Sequence, residues 1–75
     1  MDASEIKRMI EAGLSGAEVA VYSEDGHHFE ALVMYKDFSG KSLLERHRMV
    51  YETLGDSFKS TLHALALRTE VPKED

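Results

Sequence analysis

The sequence predicts an α+β domain whose elements run αββααβ, with the helices packed on one face of a three-stranded mixed sheet. Three observations carry this. Apolar residues recur at spacings of three and four near the start, the period of a helix. Two alternating stretches flank a tight glycine-containing turn, the pattern of a hairpin. A third alternating stretch follows a long segment of helical period, and that crossover is what a parallel strand pair requires. The 75 residues suit a single domain spanning 1–75. A chain this short buries only roughly 60% of its unfolded surface, so its core is thin.

The first helix is expected over Ala3 to Leu14, where Ile6, Met9, Ile10 and Leu14 form one stripe. Ser4 is its expected cap, and Gly13 or Gly16 its stop. In "AEVAVYS", residues 17–23, Val19 and Val21 share a face opposite Glu18. "EDG" is turn chemistry: Gly26 accepts positive φ and Asp25 can bond its own backbone. "HHFEALVMY" resumes as strand, with Phe29, Ala31 and Val33 on one side and His28 and Glu30 on the other.

"KDFSGKS" breaks the pattern. Ser42 then caps a helix through "LLERHRMVYETL", with Glu45 at the capping-box position. Leu43, His47, Val50 and Leu54 are expected to line its buried face. Gly55 ends it, and Asp56 can cap a shorter helix through "SFKSTL". "HALALRT" supplies the last strand, and residues 69–75, with Pro72, are read as a flexible tail.

Composition narrows the function. There is no cysteine, so no disulfide framework and no sign of an oxidising compartment. The opening "MDASEIKRMIEAG" has neither the apolar run of a membrane span nor that of a signal peptide, which points to a cytoplasmic protein without a membrane partner. A formal net charge of −5 argues against general nucleic-acid binding, since phosphate attraction needs cations. No cysteine nucleophile, metalloprotease spacing or phosphate loop is present, and the chain reads as a non-enzyme.

The expected topology gathers histidines. If the second and third strands run parallel and side by side, both start at one edge of the sheet. The second starts at His27 and His28 and the third at His63, so imidazoles distant in sequence would meet in space.

"GHHFEALV", "FSGKSLLERHRMVYETLGD" and "HALALRT" stand in the order and spacing of the BolA-like family, which the chain closely resembles over essentially its whole length. That resemblance implies a fold similar to the class II KH domain. It also implies partnership with a monothiol glutaredoxin of the Cys-Gly-Phe-Ser kind. Such a pair, with glutathione, holds a bridging [2Fe–2S] cluster in cluster trafficking or iron regulation; no cluster is expected tightly bound to the isolated chain. The histidine opening the last strand of the family matches His63. The second ligand implied is a His or Cys in the loop between the first two strands, which here means His27, with His28 as the alternative. Some bacterial members are DNA-binding transcriptional regulators of stress response and cell morphology, and that is the alternative function implied.

The implied chemistry is coherent. Iron in such clusters usually takes thiolate, so a chain without cysteine needs its sulfur ligands from a partner. Histidine ligation also weakens in acid, because protonated imidazole cannot bind metal. His47 is set apart from the ligands: its spacing puts it on the buried face of the long helix as a structural, hydrogen-bonded histidine. Lys41, Arg46 and Arg48 make a local basic patch for DNA or partner contact, which Glu45 and Glu52 dilute. "GLSG" matches the GxxG of nucleic-acid-binding KH domains, yet it joins a helix to a strand with Glu11 and Glu18 beside it, and is read as chance.

Overall fold

Helix α1 (Ala3–Gly13) opens the chain in the computed structural model, which describes residues 2–56 and 64–73. Its cap is Asp2 rather than Ser4. The Asp2 carboxylate accepts the Glu5 N–H at 2.9 Å, and as an anion it also suits the positive end of the helix dipole. Ile6 and Ile10 are fully buried and Leu14 continues their stripe just past the helix end.

Strands β1 (Glu18–Tyr22) and β2 (Phe29–Met34) pair antiparallel, with Val19 opposite Val33. β3 (Leu65–Glu70) pairs with β2 in parallel, Phe29 opposite Leu65, so the order across the sheet is β1-β2-β3. This is the mixed sheet the pattern predicts. Its alternation buries Val19, Phe29, Ala31, Val33 and Leu65 in one core with α1 and the second helix.

Two strand boundaries differ from expectation. β2 starts at Phe29, which leaves both turn histidines outside it, because Asp25 holds the preceding backbone in a turn. β3 begins at Leu65 and runs through Glu70. Thr69, the last residue of "HALALRT", pairs with Val33, and Glu70 pairs with Met34 instead of joining a tail.

The segment after β2 holds an element that periodicity does not announce. Lys36–Phe38 forms one turn of 3-10 helix and fully buries Phe38. The ring meets Tyr35 edge-on, centroids 5.4 Å apart. Successive backbone bonds, Phe38 N–H to the Tyr35 carbonyl, Ser39 to Lys36 and Lys41 to Phe38, fold this stretch back on itself.

Helix α2 (Leu43–Leu54) has both arms of the expected capping box. The Glu45 N–H donates to Ser42 Oγ at 3.1 Å and the Ser42 N–H donates to Glu45 Oε1 at 3.0 Å. Its buried residues are Val50 and Leu54. Leu43 is not on the buried face: it and Leu44 are each 65% exposed, since only the second half of α2 lies over the core. Near its end α2 meets α1 closely. A Cβ added at Gly13 would lie 2.5 Å from Thr53 Cγ2 and 2.8 Å from Thr53 Cβ. The short helix expected at "SFKSTL" falls within residues 57–63, outside the described residues.

The capping box makes a direct test. Ser42→Ala is expected to cost about 1 kcal/mol in urea denaturation. The Ser42 backbone and hydroxyl contacts hold the Glu45 carboxyl below its ordinary range. A folded-state pKa that is depressed stabilises above the unfolded value and loses that stabilisation as pH falls through the folded one. The stability gap between wild type and Glu45→Ala should thus be widest near neutrality and close in acid. A gap unchanged down to about pH 3, below the ordinary glutamate range, would contradict it.

Candidate functional site

The turn between β1 and β2 is built around Asp25. Its Oδ1 accepts the backbone N–H groups of His27 at 2.8 Å and His28 at 2.9 Å, and its Oδ2 meets His28 Nδ1 at 2.9 Å. Ser23 Oγ accepts the Gly26 N–H at 2.8 Å and lies 3.4 Å from Asp25 Oδ1. Gly26 sits at φ +77, a conformation costly for residues with a side chain. Together these bonds wind five residues, 24–28, into a turn that ends where β2 begins. The His28 imidazole foremost, then the two backbone N–H groups, hold the Asp25 carboxyl well below the usual carboxylate range.

The parallel pairing of Phe29 with Leu65 brings this turn to the same sheet edge as the start of β3. Between them lies an open concavity of about 460 Å³, bordered by Tyr22, Asp25, His28, Glu30, Ala64 and Ala66 among others. His28 is on its wall, its side chain 80% exposed. His27 is also exposed but does not border the concavity. His63 lies outside the described residues; Ala64, next to it in sequence, is half-buried on the concavity wall. Among the described residues no three His, Cys, Asp or Glu side chains gather into a metal site. What those residues offer is a partial donor set: one imidazole with Nδ1 engaged and Nε2 without a protein partner.

His47 is half-buried on α2, its ring edge-on to Tyr51 at 6.4 Å. Contrary to the expected hydrogen bond, Nε2 is buried without a partner among the described residues. It does not border the concavity beside the turn.

The basic residues do not act alike. Arg46 is half-buried and its Nε donates to the Lys41 carbonyl at 3.0 Å, which ties it to the helix start. Lys41 and Arg48 are exposed and share a shallow depression of about 290 Å³ with Glu45, Met49 and Glu52. The charges in that depression nearly cancel. No described helix is long and apolar enough to cross a membrane.

Comparison with known proteins extends the picture. A family model described as "BolA-like protein" matches residues 5–74. The DNA-binding transcriptional regulator BolA of Escherichia coli K12 is 45% identical over 47 residues, which cover 63% of this chain and 45% of that protein. SufE-like protein 1 of Arabidopsis thaliana is 44% identical over 52 residues, covering 68% of this chain and 14% of that protein. The matched segment thus spans less than two thirds of these relatives' lengths. Among solved structures, a bolA protein homologue from Coxiella burnetii superposes with a TM-score of 0.81 at 46% identity, covering 96% of this chain and 92% of that one.

Proposed function

The chain belongs to the BolA-like family, and on that premise we propose that it is a cytoplasmic adaptor, not an enzyme, that pairs with a monothiol glutaredoxin. The pair shares a bridging [2Fe–2S] cluster, in cluster trafficking or iron regulation. The glutaredoxin cysteine and glutathione supply sulfur, and this chain supplies His63 and an imidazole of the turn, His27 or His28. One observation supports the reading above the others: His28 and Ala64, the sequence neighbour of His63, border one concavity at one sheet edge. A chain with no cysteine and only a partial donor set fits a protein that completes a ligand set begun elsewhere. Imidazole in place of thiolate lowers the negative charge around a cluster, which favours a higher potential.

Co-expression with a monothiol glutaredoxin, followed by anaerobic purification and visible absorption and circular-dichroism spectra, tests this. A coloured heterodimer is expected from the wild type. His63→Ala should be colourless while keeping its far-ultraviolet spectrum. Colour retained in His63→Ala, or a colourless wild type, rejects the proposal.

A DNA-binding regulator is the second reading, favoured by the exposure of Lys41 and Arg48 and by the name of the E. coli relative. Glu45 and Glu52 beside those cations, and the engaged Arg46, weigh against it. Its distinguishing result is salt-dependent, sequence-selective DNA affinity that falls in Arg48→Ala.

A further inference from the structure

Two adjacent histidines in one turn leave open which of them a metal would meet, and the turn itself distinguishes them. Among the described residues His27 contributes only its backbone N–H to the turn, so its ring orientation is not fixed by a hydrogen bond. The His28 ring is held, with Nδ1 2.9 Å from Asp25 Oδ2. An ionised carboxylate can only accept, so Nδ1 must carry the proton. In the neutral ring this leaves Nε2 unprotonated with its lone pair available, and the ring borders the concavity. Metal-ligating histidines are commonly fixed in this way, by a carboxylate on the other ring nitrogen that sets tautomer and direction.

We propose that Asp25 is a positioning residue: it holds His28 as the Nδ1–H tautomer and so presents His28 Nε2, not a His27 nitrogen, as the turn's coordinating atom. This rests on the shared-cluster reading above and selects between the two imidazoles that reading allows. Asp25 does this while also accepting both backbone N–H groups of the pair, so the carboxylate that shapes the turn also aims the ring.

The tautomer is readable in the isolated chain, without any cluster, by long-range nitrogen–proton NMR of the imidazoles at about pH 8, where an ordinary histidine is neutral. His28 is expected as Nδ1–H, whereas a neutral imidazole in water favours Nε2–H. Asp25→Asn keeps a carbonyl oxygen for the turn N–H groups but can place an NH₂ opposite Nδ1. His28 should then switch to Nε2–H with the backbone spectrum of the turn retained. Asp25→Ala should lose the preference as well, whatever it does to the turn. In the glutaredoxin heterodimer, Asp25→Asn should weaken cluster retention by about 10- to 100-fold, as loss of such support does elsewhere, and His28→Ala, which removes the ligand itself, should weaken it at least as much. His27→Ala should leave it near wild type. A wild-type His28 found as Nε2–H, or a cluster lost in His27→Ala and kept in His28→Ala, overturns the assignment while the shared-cluster reading survives. A wild type that forms no coloured heterodimer overturns both.

Discussion

Phe38→Ala is expected to lower stability by about 3–5 kcal/mol, the usual cost of deleting a buried phenylalanine ring. A 75-residue domain holds only about 4–11 kcal/mol in total, at roughly 0.05–0.15 kcal/mol per residue. The variant should therefore be substantially unfolded at 37 °C, with a greatly reduced urea midpoint. Phe38 is fully buried, on a single turn of 3-10 helix between β2 and α2. Its ring has Tyr35 edge-on beside it, so the cavity left by alanine also strips that contact. Phe38→Leu keeps much of the volume and should lose far less. An alanine variant within about 0.5 kcal/mol of wild type, as is usual at a surface site, would show that the segment is not part of the core.

Gly13→Ala is the second large effect. In an open helix the change would help by roughly 0.5–1 kcal/mol. Here the new Cβ would meet both Cγ2 and Cβ of Thr53 inside 3.0 Å. Rotating Thr53 does not clear the second clash, and it would break the bond from Thr53 Oγ1 to the Val50 carbonyl, 2.6 Å. The helices must separate, and overpacking of this sort costs about 1–3 kcal/mol. A net loss of up to about 2.5 kcal/mol is expected once the helical gain is subtracted. Thr53→Ala in the same chain should recover only part of it, because the Thr53 Cβ stays. A raised urea midpoint in Gly13→Ala would mean that α1 and α2 slide apart without penalty.

These two positions also mark what the sequence could and could not disclose. The strands, their pairing and the capping box at Ser42 were legible, because each rests on periodicity or on residues three apart. Phe38 was not: its neighbours at helical spacing, Met34 and Tyr35, read as the end of the preceding strand, and Lys, Asp, Ser and Gly surround it. Nor was the role of Gly13, which depends on a residue forty positions away. Leu43 kept the helical period yet is exposed, since period gives the face of a helix and not how far along it the core extends.

The site was legible to a similar depth. The turn at Asp25 and Gly26 and the shared edge of β2 and β3 follow from local chemistry and topology. The bond from Asp25 to the His28 ring does not, because a carboxylate in a turn is expected to serve backbone first. Spacing alone groups Arg46 with Lys41 and Arg48, whereas the folded chain binds its Nε to the Lys41 carbonyl.

The parallel crossover has a consequence for what the molecule can hold at one time. β2 carries the chain about 20 Å away from the imidazoles, the backbone bonds of residues 35–41 keep it at that far side, and α2 has to bring it back. Lys41 and the first turn of α2 therefore stand at the opposite pole from His28. A small ligand at one pole leaves the other uncovered, whereas a protein partner touching both would have to reach across about 20 Å of the domain.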